Sequence, residues 1–188
     1  MAQQKGMMES VKRGIVTAVQ GAGDVTSAVV GAISKTVAMT IGGLSDIAGS
    51  LVEVIADVAK GTIQAIVEVG GDLGAATKGL VLGVLHGTRK AGVATLETLS
   101  QTAAAAIRAT ADVTGDLGVA TKGLVEGAVE GAKDVGLDAT EAASAAARGA
   151  LKAAEEIGSD AGTTVRHALT GTIAGVKVVL KEPFKKTT

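Results

Sequence analysis

Written eleven residues to a row, the stretch from Asp24 to Lys177 sorts its charges. All 29 of its charged residues fall in five of the eleven columns. The six charge-free columns begin at Val25, Thr26, Val29, Val30, Ala32 and Ile33. Chance placement would produce this on the order of once in 10¹⁰ trials. Three helical turns per eleven residues make those columns contiguous, an apolar arc of roughly half the helix. A strand cannot explain the pattern, because faces alternating every residue fall out of step with an odd repeat. The expected fold class is therefore all-α, an amphipathic helix with 11-residue repeats.

A longer period sits on the lattice. The eleven residues from Gly71 to Val81 (GDLGAATKGLV) return from Gly115 to Val125 (GDLGVATKGLV), an offset of 44 residues. A weaker third copy keeps that offset, with Gly162, Arg166, Gly171 and Gly175 echoing Gly118, Lys122, Gly127 and Gly131. No insertion breaks the phase between Asp24 and Lys177, whereas helical hairpins usually add loop residues that would reset it. The expectation is one continuous helix over residues 13–180, about 250 Å long, between an N-terminal segment 1–12 and a basic tail 181–188. The alternative is a set of shorter helices broken near 42–43 and 70–71, at the pairs Gly42-Gly43 and Gly70-Gly71. Eleven residues overshoot three turns by about 20°, so packing with neighbouring helices should be nearly straight or right-handed. Lys181 to Thr188 should leave the helix at Pro183, which cannot sit in a helix interior.

Such a helix is weak by itself. The chain has 27 Gly and one aromatic residue, Phe184. Each interior Gly costs about 1 kcal/mol relative to Ala, and Val and Thr add smaller losses of rotamer freedom. Alone in water it should be disordered or only partly helical, so its apolar arc must be covered by other helices or by lipid. The glycines favour helices. Gly79, Gly83 and Gly87 form a four-spaced ladder, repeated at Gly123, Gly127 and Gly131 and again at Gly171 and Gly175. Small-residue rows of this kind permit close helix contact, although glycine is also tolerated wherever packing is undemanding. If the ladders are contacts between copies, leucine at Gly83, Gly87, Gly127 and Gly131 should abolish assembly. If the arc rests on lipid, the same change should preserve or strengthen membrane binding.

Charge is sorted by edge. Lys78, Arg89, Lys122, Lys133, Arg166 and Lys177 share one border column, whose only acid is Glu155. Asp72, Asp116, Asp138 and Asp160 share a column near the opposite border that carries no base. Helices side by side could match basic edge to acidic edge, a heterologous contact that need not close. Exposed ion pairs contribute only ~0–1 kcal/mol each, so they would set register rather than strength.

Several chemistries lack support. Lys+Arg 18 against Asp+Glu 19 removes the electrostatic case for nucleic acid. Without Cys there are no thiolate metal sites or thiol nucleophiles. His86 and His167 stand in polar columns without a metal set, and no glycine run continues into a phosphate loop. No enzyme activity, cofactor, metal or small-molecule substrate is expected. No charge-free run exceeds ten residues, and a membrane-spanning helix needs about 20. The stretch Gly14 to Val19 behind Lys5, Lys12 and Arg13 is too short for a signal peptide and lacks a small-x-small cleavage site. A cytoplasmic location is expected.

Segments such as Thr121 to Lys133 (TKGLVEGAVEGAK) resemble the eleven-residue repeats of synucleins, perilipins and some late-embryogenesis-abundant proteins. The resemblance is one of texture and covers most of the chain. The regular Lys-Thr-Lys-Glu-Gly-Val core of synucleins is missing, as is Lys on both borders. The chain is equally similar to hendecad coiled-coil proteins. Synuclein-like and perilipin-like relatives imply coating of lipid surfaces, and hendecad coiled coils imply self-association. Two functions follow as expectations. The first is a non-enzymatic structural protein that assembles with itself laterally into a filament, sheath or bundle. The second is a coat on lipid droplets, storage granules or membranes. The missing aromatics, small apolar residues and near-zero net charge weigh against strong lipid anchoring.

Overall fold

A computed structural model describes residues 2–42, 47–89 and 91–178, and 83% of the described residues are helical. The helix is not continuous. Eight helices follow one another: α1 Ala2–Ala22, α2 Val25–Gly42, α3 Ile47–Glu68, α4 Leu73–Arg89, α5 Leu96–Asp112, α6 Leu117–Val135, α7 Ala139–Ile157 and α8 Ser159–Ala168. A hairpin of two-residue strands, β1 Thr172–Ile173 and β2 Val176–Lys177, comes last. The single helix expected over 13–180 is thus replaced by discrete ones, with one interruption at Gly70-Gly71 and others at further turns, while Gly43 of the first pair lies outside the described residues. The first helix, α1, runs from Ala2 to Ala22, across the boundary expected at residue 12. The tail 181–188 lies outside the described residues.

The lattice survives the turns because helix plus turn is itself a multiple of eleven. Positive φ occurs at Gly70, Gly92, Thr114, Gly136 and Gly158, at steps of 22 residues. Gly70, Gly92 and Gly136 have φ of 64°, 70° and 77°, the left-handed conformation that ends a helix and that glycine adopts without a Cβ penalty. A capping residue then starts the next helix. Asp72 accepts from the Ala75 N–H at 2.8 Å, Asp116 from Val119 at 3.0 Å and Asp138 from Thr140 and Glu141 at 2.8 and 2.9 Å. Thr95 does the same for α5. Each cap satisfies N–H groups that have no partner inside the helix. Two hendecads therefore encode one helix and one turn. Over so short a helix the drift of the stripe stays within the arc, and no supercoil is needed to hold it on one side.

Alternate helices pack side by side, giving one layer of α1, α3, α5 and α7 and a second of α2, α4, α6 and α8; consecutive helices pack across the layers. The arrangement is that of a helical repeat stack, each unit burying its neighbour's apolar face. The covering surface that the helices need is supplied by the chain itself. Every described position of the Ile33 column from Ile33 to Val165 is buried. The Val25 column is less uniform, since Ala91 in a turn and Ile157 at the last position of α7 are exposed. Threonines can belong to the buried columns because their hydroxyls are satisfied locally. Thr62, Thr88, Thr102, Thr110 and Thr121 donate to the carbonyl four residues earlier at 2.6–2.8 Å, which avoids the cost of an unpaired buried hydroxyl.

Thr114 is the one turn residue of the 22-residue series that is not glycine, with φ 52°. A left-handed non-glycine residue costs roughly 1–2 kcal/mol. Thr114→Gly should therefore raise unfolding stability by about 1 kcal/mol, read as a higher urea midpoint at unchanged m-value.

Candidate functional site

The repeated feature with the tightest geometry is the same-layer helix contact, built from a glycine ladder on one helix and an apolar row on the helix before it. On α4, a methyl at Gly79 would lie 2.9 Å from Val29 Cβ, one at Gly83 2.7 Å from Ile33 Cβ and one at Gly87 2.7 Å from Val37 Cβ. On α6, a methyl at Gly127 would lie 2.7 Å from the Lys78 carbonyl oxygen and one at Gly131 2.6 Å from Leu85 Cδ1. One at Gly123 would overlap the Gly74 carbonyl oxygen. The same device appears in the other layer, where Gly61 of α3 meets Met8 and Val11 of α1, and Gly149 of α7 meets the backbone of Ser100 in α5. Thr77 adds a cross-helix bond from α4 to the Ala120 carbonyl of α6 at 3.1 Å.

These contacts join helices of one chain. The four-leucine variant at Gly83, Gly87, Gly127 and Gly131 consequently reports on folding before it can report on assembly. Gly171 and Gly175 differ from the rest: they lie outside any helix, at φ 109° and 79°, with no side chain or backbone within reach of a Cβ. A ladder contact at these two positions is absent from this arrangement, because α8 ends at Ala168.

The charged borders separate into two roles. Same-layer ion pairs run in one direction, with the base on the earlier helix and the acid on the later one. They are Lys12–Glu68 at 2.6 Å, Lys60–Asp112 at 3.6 Å, Arg108–Glu156 at 2.6 Å and Lys78–Glu130 at 2.7 Å. His86 Nε2 meets Asp134 at 3.0 Å in the same sense. The hydrogen bond to Glu130 raises the pKa of Lys78, that to Glu68 raises Lys12, and that from Arg108 lowers Glu156. Arg166 instead reaches back across the layers to Glu155 at 2.8 Å. Arg89, Lys122, Lys133 and Lys177 are exposed, Lys133 in the last turn of α6, where the helix dipole favours a cation.

The acids expected to face that basic edge do other work. Asp72, Asp116 and Asp138 are helix caps, as described above, and Asp160 is in the first turn of α8. Sequence reasoning missed this role, and the signal was present. Asp72, Asp116, Asp138 and Asp160 are spaced 44, 22 and 22 residues apart, each within two residues of a positive-φ position. The acids that do pair, Glu68, Asp112, Glu130, Asp134 and Glu156, stand in other columns.

Open grooves lie along the stack. One of 340 Å³ is lined by Thr26, Asp72, Lys78, Val119, Lys122 and Glu126, among others, and one of 280 Å³ by Ser34, Lys35, Ala38, Met39 and His86. The first mixes acids and bases, the second carries Lys35 and His86 without an acid, and neither holds a convergent polar set. Among the described residues no group of three or more His, Cys, Asp or Glu converges as a metal site. Asp57 in α3 is the one described side chain with a buried oxygen, Oδ2, that lacks a hydrogen-bond partner. Burial, reinforced by Glu53, pushes its carboxyl above the usual range against the pull of Lys60. No protein-family profile matches the chain, and neither does any curated protein sequence.

Two predictions follow from the contacts. Gly83→Ala and Gly127→Ala should destabilise the protein by about 1–3 kcal/mol through overpacking. Gly14→Ala and Gly31→Ala, in helices with open space around the site, should stabilise it by up to about 1 kcal/mol. Thermal melts of the four variants should fall on opposite sides of the parent. For Asp57 the folded pKa is raised, so the folded state prefers the protonated acid and is penalised above that pKa. Asp57→Ala should then stabilise at neutral pH, and the gain should shrink as pH falls through the carboxyl's raised pKa.

Proposed function

We propose that the protein is a non-enzymatic structural protein in which lateral assembly of Gly/Ala/Val-rich helices is completed within one chain, giving a finite stack. The observation that supports this is the α2 edge. The rows Val29, Ile33, Val37 on α2 and Thr77, Val81, Leu85 on α4 receive the next ladder, which makes α2 and α4 equivalent in packing at an offset of 48 residues, about one helical turn more than the 44 of the sequence repeat. At that offset Gly79, Gly83 and Gly87 of α4 correspond to Gly31, Lys35 and Met39 of α2. Lys35 is exposed and Met39 is 66% exposed. Where an approaching helix would require glycine, α2 carries two long side chains, one charged. This edge is unsuited to adding another helix by the same contact, so growth into an open filament is disfavoured at this end.

A second reading, a protein that rests on lipid or another apolar surface, has its own support. Among the described helices, α2 alone is long and apolar enough to cross a membrane by length and composition, with mean hydropathy 1.4 over 18 residues. Only 28% of that span is buried, and it stands at the edge of its layer. Its buried residues, including Val29, Ile33 and Val37, serve the core, which leaves Met39 and half-buried Val30 and Ala38 for contact.

Light scattering and negative-stain microscopy of lipid-free protein test the first reading. A single 18.3 kDa species that stays monomeric as concentration rises is expected, and filaments or sheets would sink it. Co-flotation with neutral phosphatidylcholine vesicles, lost on Met39→Glu, is the result expected of the second.

A further inference from the structure

By the 44-residue repeat, α8 is too short. Gly162, Arg166, Gly171 and Gly175 correspond to Gly118, Lys122, Gly127 and Gly131, all of which lie in α6. Yet α8 stops at Ala168 and the chain turns into the β1–β2 hairpin. We propose that residues 169–178 are a two-state end cap of the stack, the hairpin seen here in one state and a continuation of α8 in the other.

The sequence keeps the helical option open. The lattice runs on to Lys177, which shares its column with Arg166 and Lys133, and no charged residue falls between Arg166 and Lys177. Continued as helix, the segment would bring Gly171 and Gly175 to the ladder positions of Gly127 and Gly131. Those two glycines rest on α4 at Lys78, Val81, Leu82 and Leu85. The equivalent row on α6 contains Val125 and Val129. Both are buried, at 0% and 4% exposure, and β1 packs on α6. The hairpin thus packs on the same helix, α6, on which a continued α8 would dock.

The hairpin is a weak competitor. It has two residue pairs, Thr172 with Lys177 and Ile173 with Val176, and isolated two-stranded hairpins are marginal. Its turn places Ala174 at φ 50° and Gly175 at φ 79°. Positive φ at both turn residues suits Asn-Gly, and alanine there is strained. In the helical alternative, position 174 corresponds to Glu130, an exposed helix residue, where alanine is comfortable. A fold with one state only would gain from a turn residue at this point, and the chain has a helix former instead.

Ala174 is therefore the place to tip the balance in the full-length protein. Ala174→Asn should hold the hairpin, keeping cross-strand nuclear Overhauser contacts between Thr172 and Lys177. Ala174→Glu should favour the helix. Cα secondary shifts at Ile173 and Val176 should change sign towards helical values, and helicity should rise by about 5%, the share of ten residues in 188. Adding Gly171→Leu should reverse that gain, because a leucine cannot sit in a ladder contact. Hairpin shifts that persist in Ala174→Glu, or random-coil shifts throughout 169–178, would overturn the proposal. So would a helical gain that survives Gly171→Leu, since the helix would then owe nothing to docking on α6.

Discussion

The close approach of same-layer helices at glycine is the constraint on which the rest depends. A helix rich in glycine is poor by propensity, and twenty-seven glycines would leave an isolated chain largely unfolded. The loss is offset because a glycine row lets one backbone lie directly on the side chains and carbonyls of the next. Gly83 against Ile33 and Gly127 against the Lys78 carbonyl bring many atoms into contact that larger residues would hold apart, and dispersion grows with every such pair. A core with no aromatic among the described residues can then still be dense. The wide, low-volume apolar arc, which in isolation calls for an external partner, is matched by the helix two places along in the same chain.

That contact has a direction, and the electrostatics follow it. The ladder belongs to the later helix and the apolar row to the earlier one, at α4 on α2, α6 on α4, α3 on α1 and α7 on α5. The bases likewise sit on the earlier helix and the acids on the later. The pairs are exposed or half-buried and weak, so they add little strength. Repeat arrays of this heterologous kind have no intrinsic end, which makes the two terminal helices the informative ones. Lys35 and Met39 interrupt the ladder on α2, and the hairpin interrupts it after α8.

Much of this was legible in the residues, and one inference from them was not. The charge-free columns, the helical class and the ladder positions on α4 and α6 all follow from the eleven-residue lattice. The continuous helix expected from the unbroken phase does not form, because the turns are counted inside the lattice. Gly70, Gly92, Thr114, Gly136 and Gly158 stand at equal steps of two hendecads, so a reversal of chain direction leaves the columns in register. Phase continuity therefore carries no information about whether a helix continues. Local chemistry does: Gly70, Gly71 and Asp72, or Gly136, Leu137 and Asp138, read as a left-handed stop followed by a cap. Grouping Asp72, Asp116, Asp138 and Asp160 as an edge hid that signal, since a column along a helix and a series of helix starts look alike at this period.

The stack is not uniform along its length, although its rule is. At the N-terminal end the rows offered to the ladders are Val29, Ile33 and Val37. At the other end the buried face of α7 is alanine and glycine throughout, from Ala142 to Ala154. Burial is worth about 0.8 kcal/mol per CH₂, so an α7 position gains less from its contacts than an α2 position does. Alanine compensates with the highest helix propensity, and Gly149 lets the backbone of α7 lie close on that of Ser100 in α5. The first helices hold by area and the later ones by intrinsic helicity and proximity. The short α8 and its hairpin, lying on α6 and α7, return to larger side chains and add Val165, Leu169 and Ile173 to the buried core.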